Sequence, residues 1–466
     1  MKPQPYHSDD AVTLHLGDCL DVLGTLADAS ADAIVTDPPY ELGFMGKAWD
    51  ASGIAYNPEV WRQCWRVLKP GGHLLAFGGT RTYHRMTVAI EDAGFEIRDS
   101  LHWIYGSGFP KGQDIAKSID RRRDDRAQVL QVTAWLAAAR DTAGWTNRQI
   151  DALFGTSGMA GLWTTQGVAA IVPKSDQWAT LRDSLGFDDA AILPVVEELN
   201  ARKRTLGEAW GQREVIGQRA GGLDPNSEMY GEYSGDKRIT APASETAKRW
   251  QGWNTNLKPA HEPIVMARKS TGFNTTVANV MEHGTGALNI DGCRTAAGQD
   301  YRDKCASVVG LGSNRNGDAY GEWTGVREDS AHAAGRWPTN LLLGHSPDCS
   351  ETCGPGCPVA ELGNEARFFP AFRYEAKAPA SERPRLADGT AHTTVKPLAL
   401  MRWLLRLVTP PGGLVVDPFA GSGTTLEAAV TEGFRVVGVE LDPGHAALCR
   451  ARLNKPIAPV LFGGTS

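Results

Sequence analysis

The sequence has no hydrophobic run long enough to cross a bilayer, and its polar start, Met1-Lys2-Pro3-Gln4, has no signal-peptide pattern. It also lacks the excess of positive charge that is typical of nucleic-acid-binding proteins, since its formal net charge is -6. These absences predict a cytoplasmic protein with no membrane partner, in which any contact with nucleic acid comes from local basic segments. A length of 466 residues predicts two or three domains.

Cysteine is also scarce, with eight residues in the chain, but three of them lie within nine positions. With a histidine, they recur at every fourth residue: His345, Cys349, Cys353 and Cys357. Thiolates and an imidazole suit tetrahedral zinc, and a Gly-Pro-Gly segment before the last cysteine allows the chain to turn back. The pattern predicts a zinc site. Unliganded thiols are the alternative, and disulfides are disfavoured in a reducing compartment.

One short segment combines an acid, two prolines and a tyrosine after an apolar run. Ala33-Ile34-Val35 predicts a buried parallel strand, which places Asp37 at the C-terminal end of that strand, where open α/β sheets bind ligands. Pro38 and Pro39 have no backbone N–H, so their carbonyl groups are free to accept. Asp37 and the Pro38 carbonyl suit a flat amino group with two N–H donors, and Tyr40 offers a ring for stacking. An ordinary turn is the alternative.

A second segment, near the C-terminus, has the pattern strand, glycine turn, helix, strand. Leu414-Val415-Val416 leads into Asp-Pro-Phe-Ala-Gly-Ser-Gly-Thr-Thr at 417–425. Gly421 and Gly423 allow a ligand to approach the backbone at a helix N-terminus. The next strand ends in Glu440, which is placed to accept hydrogen bonds from ribose hydroxyls. The combination predicts a site for a cofactor that contains ribose.

Together, Asp37-Pro38-Pro39-Tyr40 and the glycine segment 417–425 resemble the DNA amino-methyltransferases, which transfer methyl from S-adenosyl-L-methionine to N6 of adenine or N4 of cytosine. The catalytic motif precedes the glycine loop here, which is similar to the permuted, beta-type members of that family. Protein-glutamine methyltransferases share an Asn-Pro-Pro-Tyr motif but usually carry the glycine loop first. The resemblance covers roughly residues 1–110 and 392–466.

The resemblance implies a role for each matched residue. Asp37, Pro38, Pro39 and Tyr40 form the expected catalytic motif. Lys396 is expected beside the methionine end of the cofactor, although this chain has His392-Thr393 where many members have His-Pro. The expected cofactor-binding residues are Asp18, Lys396, Asp417, Phe419, Gly421, Gly423, Thr424 and Glu440. Asp18 is expected at the adenine of the cofactor, but its spacing suits a cap of the following helix equally well.

Strands and helices alternate through the first part of the chain, which predicts a largely parallel sheet. We therefore expect an α/β fold of the S-adenosylmethionine-dependent methyltransferase (Rossmann-like) type, with circularly permuted motif order, a helical insertion and a loop-rich insertion. The expected parts are a catalytic half at 1–116, the helical insertion at 117–259, a returning strand at 260–269, the loop-rich insertion at 270–391 and a cofactor-binding half at 392–466.

Either insertion is a candidate for target recognition. Residues 146–155 and 157–165 predict two short helices joined by a glycine turn, which resemble a helix-turn-helix. The second helix offers no side chain for bidentate base contacts before Gln166, so a helical insertion that packs on its own core is the alternative. Basic and aromatic residues interleave through Lys237-Arg238, Lys248-Arg249-Trp250 and Trp253, with Lys258 shortly after. Such segments bind phosphates and stack on bases, or they form ordinary solvated surface.

The function implied by the resemblance is direct methyl transfer to adenine N6 in double-stranded DNA. Hydrogen bonds from the amine to Asp37 and the Pro38 carbonyl would free the nitrogen lone pair, and the base would flip out and stack on Tyr40. Aspartate at the first motif position favours adenine. The alternatives are methylation of cytosine N4 or of RNA, and a non-catalytic DNA-binding protein on the same scaffold. The recognition sequence, a restriction-modification partner and a homodimer stay open.

Overall fold

A computed structural model describes residues 4–42, 51–106, 112–202, 206–218, 238–307, 309, 331–346, 349, 352–354, 356–372 and 395–454. The chain forms two compact units, one from Met1–Phe109 and Pro259–Ser466 and the other from Pro110–Lys258. Among the described residues, no helix has both the length and the apolar character that a membrane crossing requires.

The first unit is built on one ten-stranded sheet, and a two-stranded sheet lies in the second unit. The strands are β1 (His7–Ser8), β2 (Val12–Leu16), β3 (Ala31–Thr36), β4 (Leu68–Phe77), β5 (Phe95–Ile104), β6 (Val215–Gln218), β7 (Arg238–Thr240), β8 (His261–Lys269), β9 (Leu341–Gly344), β10 (Ala371–Phe372), β11 (Leu414–Asp417) and β12 (Arg435–Glu440). The order in the large sheet is β1-β2-β12-β11-β3-β4-β8-β5-β9-β10. Only the pairs β1–β2, β4–β8 and β5–β8 are antiparallel there. The predicted α/β fold with a mostly parallel sheet is confirmed.

Helices connect most of these strands. They are α1 (Cys19–Leu23), α2 (Pro58–Val67), α3 (Tyr83–Asp92), α4 (Ile115–Arg121), α5 (Arg126–Thr142), α6 (Asn147–Phe154), α7 (Met159–Thr164), α8 (Ser175–Leu185), α9 (Leu193–Ala201), α10 (Glu208–Gly211), α11 (Glu245–Arg249), α12 (Thr276–His283), α13 (Gln299–Ala306), α14 (Pro358–Glu361), α15 (Leu398–Val408), α16 (Thr424–Thr431) and α17 (Pro443–Leu453). Short 3₁₀ turns lie at Ile54–Tyr56, Asp291–Cys293 and Gly363–Phe368.

The central strands are apolar on both faces because helices cover the sheet on both sides. All six residues of β3 are buried. Ala33 and Val35 belong to one hydrophobic cluster and Ile34 to another, as the alternation of side chains along a strand requires. Helix α15 packs in the first cluster, and helix α2 packs in the second.

One edge of the sheet collects the functional segments. Strands β2, β12, β11, β3, β4, β5, β9 and β10 all run in one direction, so their C-terminal ends share this edge. Strand β8 runs the other way and begins there. Asp37 follows β3, Glu440 ends β12, and Glu262 lies at the start of β8. In an open α/β sheet this is the edge at which ligands bind.

The segment predicted as loop-rich, 270–391, contains elements that the sequence did not indicate. Helices α12 and α13 and the strands β9 and β10 lie within it, and the two strands extend the large sheet beyond β5. These strands have only four and two residues, which is too short to show an alternating pattern. The returning strand was predicted correctly, and β8 enters the sheet between β4 and β5.

The second unit has a helical core of its own, centred on Leu136, Trp163 and Trp178. The two short helices expected at 146–155 and 157–165 are present as α6 and α7, and Gly155 ends α6 in the left-handed conformation. The Gln166 amide donates to the Leu130 carbonyl and the Thr133 hydroxyl. These internal bonds occupy the Gln166 side chain. Base reading by this helix pair stays a prediction.

Candidate active site

The side chain of Asp37 is held by a lysine from the distant end of the sequence. Lys396 Nζ lies 2.5 Å from Asp37 Oδ2 and 3.5 Å from Glu262 Oε2. The Lys396 side chain is only 9 % exposed, so its charge depends on these two carboxylates rather than on water. Asp37 Oδ1 is buried and has no hydrogen-bond partner among the described residues. This oxygen can therefore accept a hydrogen bond from a ligand.

Tyr40 is fixed by hydrogen bonds at its side-chain hydroxyl and at its backbone carbonyl. Its hydroxyl donates to Glu262 Oε2 at 2.7 Å, and its carbonyl accepts from the Thr82 hydroxyl at 2.7 Å. Lys396 Nζ lies 5.2 Å from the centre of the Tyr40 ring and 4.9 Å from that of Phe77. These contacts orient the phenol ring before any ligand arrives.

Burial and charge set the protonation of this cluster. Burial raises the pKa of Asp37, the nearby Lys396 ammonium lowers it, and Glu262 raises it again, with a net upward direction. Burial and the charge of Asp37 hold the pKa of Tyr40 well above its usual value, so the phenol stays neutral. For Lys396, burial opposes the charge, but Asp37 and Glu262 raise its pKa overall. Lys396 is consequently a permanent cation between two carboxylates.

A second acceptor lies next to Asp37 Oδ1 in the chain. None of the hydrogen bonds among the described residues ends on the Pro38 carbonyl. Pro38 is buried, and neither it nor Pro39 has a backbone N–H to compete for a partner. The segment thus presents a carboxylate oxygen and a carbonyl oxygen, neither of which receives a hydrogen bond from the part of the chain that the structure describes.

The glycine loop follows β11 and is tied to the end of β12. Gly421 and Gly423 have φ values of 55° and 83°, which favour glycine. The backbone N–H of Gly421 donates to Glu440 Oε2 at 2.8 Å, and that of Asp442 donates to Glu440 Oε1 at 2.8 Å. Glu440 therefore shapes the loop and retains lone pairs for further donors.

The back of the same loop is supported by helix α17. Arg452, which is 1 % exposed, donates from Nε to the Ser422 carbonyl at 2.9 Å, and the Cys449 thiol donates to the Gly421 carbonyl at 3.0 Å. Phe419 lies against Trp61, with 6.5 Å between the ring centres, and Thr424 is buried at the start of α16. Helix α17 thus fixes the positions of the Gly421 and Ser422 carbonyl groups.

Asp417 connects the glycine loop with the catalytic strand. Its Oδ1 accepts from the Thr36 hydroxyl at 2.6 Å and from the Phe419 N–H at 3.1 Å. Burial raises the pKa of Asp417 to about 6, although the bonds from Thr36 and Thr425 favour its ionised form. These bonds join the ends of β3 and β11, and the expected contact of Asp417 with the cofactor stays a prediction.

Replacing Asp417 with asparagine is expected to remove part of the pH dependence of stability. The folded protein retains the Asp417 proton up to about pH 6, whereas the unfolded chain loses it near its usual pKa of 3.8. The free energy of unfolding therefore falls as pH rises from about 4 to about 6, by roughly 3 kcal/mol from this group. Denaturant unfolding at both pH values measures the difference. An unchanged pH slope in Asp417→Asn, equal to that of the exposed control Asp10→Asn, contradicts the assignment.

Asp18 has the capping role that its spacing allowed. Its carboxylate accepts from the Leu20 N–H at 2.8 Å at the start of α1. The adjacent Gly17 N–H donates to the Glu440 carbonyl at 2.9 Å, so this turn lies beside the end of β12. The predicted contact of Asp18 with a cofactor adenine stays a prediction.

The four residues expected to bind zinc converge. One ligand atom from each of His345, Cys349, Cys353 and Cys357 lies within 4.8 Å of the others. Burial opposes ionisation of Cys357, but backbone N–H groups of Ser346 and Ala360 lower its pKa to about 7. The cluster follows β9 and precedes α14.

Comparison with known proteins agrees with these motifs. A family model described as DNA methylase, of the N6/N4 type, matches residues 31–129 and 233–450 of this chain. The matched residues include the catalytic motif, Lys396, the glycine loop and Glu440. This chain belongs to the N6/N4 DNA methylase family.

The curated relatives of this DNA methylase match it over short segments. The type II methyltransferase M.HindIII of Haemophilus influenzae is 49% identical over 81 residues, which are 17% of this chain and 26% of that protein. The DNA adenine methyltransferase YhdJ of Escherichia coli is 36% identical over 63 residues, which are 14% of this chain and 21% of that protein. The matches thus span about a quarter or less of these relatives.

Among solved structures, the PvuII DNA methyltransferase, described as cytosine-N4-specific, aligns with a TM-score of 0.40 and 14% identity, covering 97% of this chain and 90% of that one. The DNA modification methylase TTHA0409 of Thermus thermophilus, in complex with S-adenosyl-L-methionine, aligns with a TM-score of 0.35 and 16% identity, covering 97% of this chain and 99% of that one.

Two site residues of this methylase were not predicted from the sequence. Glu262 contacts both Tyr40 and Lys396, and Phe77 lies under the Lys396 ammonium. Both lie in strands that were predicted, but a strand pattern does not show which side chain meets a residue 222 positions away. His392-Thr393, noted beside Lys396, lies outside the described residues.

Proposed function

We propose that this chain transfers methyl groups from S-adenosyl-L-methionine to the N6 amine of adenine in double-stranded DNA. The observation that carries the proposal is the buried Asp37 Oδ1, which has no donor among the described residues and is followed by a Pro38 carbonyl that likewise has none among them. An exocyclic amine has two N–H groups and satisfies both acceptors at once.

The chain's own residues activate the amine by position and charge. The lone pair of the amine is delocalised into the ring, so the nitrogen is a weak nucleophile. Two hydrogen bonds, to Asp37 Oδ1 and the Pro38 carbonyl, draw the nitrogen toward tetrahedral geometry and localise the lone pair. Lys396 holds Asp37 Oδ2 at 2.5 Å and keeps the carboxylate in place, and the buried acid is ready to share or take the amine proton.

The cofactor site fits the groups that S-adenosyl-L-methionine presents. Glu440 has lone pairs for ribose hydroxyls, and the positive φ angles at Gly421 and Gly423 let a ligand lie against the backbone. Phe419 follows β11, and Lys396 contacts Asp37 after the neighbouring β3, so both lie at the edge of the sheet where the adenine and methionine parts would be held. The bound cofactor supplies an electrophilic sulfonium methyl. The residues that would hold the cofactor are Phe419, Glu440 and Lys396, at the edge of the sheet where Asp37 also lies.

The target base is proposed to leave the duplex. Tyr40 borders a small cleft that is lined also by Pro39, Tyr56, Gly79 and Tyr83. Aromatic faces at such a cleft are suited to stack on an extruded base, and a base inside the duplex does not reach Asp37. Tyr40, held through Glu262 and Thr82, is the expected stacking partner.

Adenine is proposed as the target on two grounds. The motif begins with Asp37, which the family resemblance associates with adenine N6 more than with cytosine N4. The relative YhdJ, which shares a 36% identical segment, is described as a DNA adenine methyltransferase. Cytosine N4 is chemically similar, so the experiment must separate the two.

The function is tested with the purified full chain, labelled S-adenosyl-L-methionine and unmethylated genomic DNA, followed by nucleoside analysis. We expect label in N6-methyladenine within one short sequence context. Label in N4-methylcytosine overturns the adenine assignment and leaves the class of reaction intact. Label in RNA alone, or in neither nucleic acid while the cofactor is bound, overturns the proposed function.

Contact with DNA is proposed for a basic and aromatic surface of the second unit. Trp250 and Trp253 are 42% and 60% exposed, with 5.1 Å between their ring centres, and Lys248 and Arg249 precede them on α11. Exposed paired indoles beside cations suit both stacking and phosphate binding.

We expect Trp253→Ala to raise the Kd for DNA by a factor of about 10, because stacking on one aromatic ring contributes roughly 1–3 kcal/mol. Fluorescence anisotropy of a labelled duplex measures the Kd. The control is Trp337→Ala, which removes an indole that is 64% exposed in the other unit. Equal effects of the two substitutions contradict a DNA-binding role for this surface.

A further inference from the structure

We propose that His345, Cys349, Cys353 and Cys357 bind one structural Zn²⁺ ion in the connection between β9 and β10. The inference does not depend on the proposed methyl transfer. Four protein ligands close a tetrahedral site and leave no position for water, which is typical of structural rather than catalytic zinc.

The distances among the ligand atoms match this ion. Zn–S bonds of about 2.3 Å and Zn–N bonds of about 2.0–2.1 Å, in tetrahedral geometry, place sulfur and nitrogen ligands about 3.5 Å apart. His345 Nδ1 lies 3.4 Å from Cys353 Sγ and 3.7 Å from Cys357 Sγ. All four ligand atoms lie within 4.8 Å of one another. Little movement is needed for them to surround one ion.

The convergence requires a particular backbone path. A spacing of four residues would align these side chains on one face of a helix, where His345 and Cys357 would be about 18 Å apart. The observed proximity therefore comes from a chain that turns back on itself. Gly356, with a φ of 71°, lies in this turn, directly before Cys357.

One sulfur atom also receives a backbone hydrogen bond of the kind that stabilises metal thiolates. The Gly354 N–H donates to Cys349 Sγ at 3.3 Å. Donors of this kind orient the ligands and offset the negative charge of a site with three thiolates. Unliganded thiols have no need of them.

The metal supplies stability that this segment does not obtain from a hydrophobic core. Between β9 and β10, the buried apolar residues among those described are Cys357, Ala366 and Pro370. Even so, the two strands pair in parallel, and the His345 N–H donates to the Phe372 carbonyl at 2.7 Å. A connection with so small a core needs another source of stability, and coordination by four ligands provides it.

The zinc cluster packs against the end of β5. A Cβ atom on Gly106 would lie 2.7 Å from the Gly356 carbonyl and 3.0 Å from the Ser346 hydroxyl. The preceding residue, Tyr105, packs against the same hydrophobic cluster as Tyr40. Loss of the metal is therefore expected to disturb the catalytic side of the edge more than Glu440 and the glycine loop, which lie across the sheet.

The first test is the metal content of the full chain, purified without an affinity tag that binds metal. We expect about one zinc per chain by inductively coupled plasma mass spectrometry. We also expect the Co²⁺-substituted protein to show the intense visible absorption of tetrahedral thiolate coordination. Substoichiometric metal, with the three cysteines open to a thiol reagent or joined in a disulfide, overturns the proposal. The wild-type protein decides this test, so it does not depend on the folding of a variant.

Substitutions then locate the ion. Cys349→Ser and Cys353→Ser should lose the bound zinc, whereas Cys305→Ser, on helix α13, should retain it. Gly106→Ala keeps all four ligands but crowds the Gly356 carbonyl, and it should release zinc to a chelator faster than Gly272→Ala, where nothing lies within 4 Å of the added carbon. Zinc retained in both ligand variants overturns the assignment of the site.

Discussion

Replacing Asp37 with alanine is expected to lower the rate of methyl transfer to DNA by a factor of about 10³ and to leave the affinity for S-adenosyl-L-methionine nearly unchanged. The substitution removes Oδ1, the buried oxygen that we propose accepts from the amine and that has no other partner among the described residues. Lys396 would still have Glu262, 3.5 Å from its Nζ, so the ammonium is not left without a counter-charge. Single-turnover transfer of labelled methyl and calorimetric titration of the cofactor measure the two quantities separately.

Two further variants show whether the charge or the shape of Asp37 matters. Asp37→Asn keeps an oxygen acceptor but removes the negative charge that Lys396 faces, so an intermediate loss of rate is expected. Asp10→Ala removes an exposed carboxylate and serves as the control. An Asp37→Ala protein that methylates DNA at the wild-type rate, or that loses the cofactor together with its fold, contradicts the assigned role.

Replacing Glu440 with alanine is expected to have the opposite pattern, with cofactor affinity lowered by a factor of about 10² and a smaller change in rate at saturating cofactor. The carboxylate accepts from the N–H groups of Gly421 and Asp442, each at 2.8 Å, and these bonds shape the glycine loop. A hydrogen bond to a charged group contributes about 1.5–3 kcal/mol, and every 1.4 kcal/mol changes affinity about tenfold.

The matched variant is Glu440→Gln, which keeps one oxygen acceptor and should lose only about tenfold in affinity. Glu91→Ala, on the exposed side of α3, is the control for removing a carboxylate. Calorimetric titration with S-adenosyl-L-methionine gives the Kd of each protein. Wild-type affinity in Glu440→Ala would show that the end of β12 does not form the cofactor site.

The parts of the molecule that were predicted are those with local signals. The strand, glycine turn, helix and next strand at 414–440 were all found, because apolar runs and glycines lie next to one another in the sequence. The same holds for β3 and the catalytic turn that follows it. Each of these signals operates within about 20 residues, which is the scale of a βα unit.

The contacts within the candidate active site were not accessible in this way. Asp37 and Lys396 are 359 positions apart, and Tyr40 and Glu262 are 222 apart. The periodicity of hydrophobic residues along the sequence gives no information about contacts between residues so far apart in the chain. The pairing depends on the strand order, in which the antiparallel β8 lies beside β4 and brings Glu262 to the edge where β3 ends. The helix cap that Asp18 forms is likewise visible only in the structure, and its contact with a cofactor adenine stays a prediction.

The sequence by itself determined the α/β class, the residues of the catalytic and glycine motifs, and the spacing of the four metal ligands, because each is a property of neighbouring residues. Only the tertiary structure decided that Lys396 pairs with Asp37, that Glu262 holds Tyr40, that Glu440 binds the glycine loop, and that one histidine and three cysteines converge. The physical reason is that these interactions join segments that meet only when the sheet has assembled, and burial then gives the paired charges their strength.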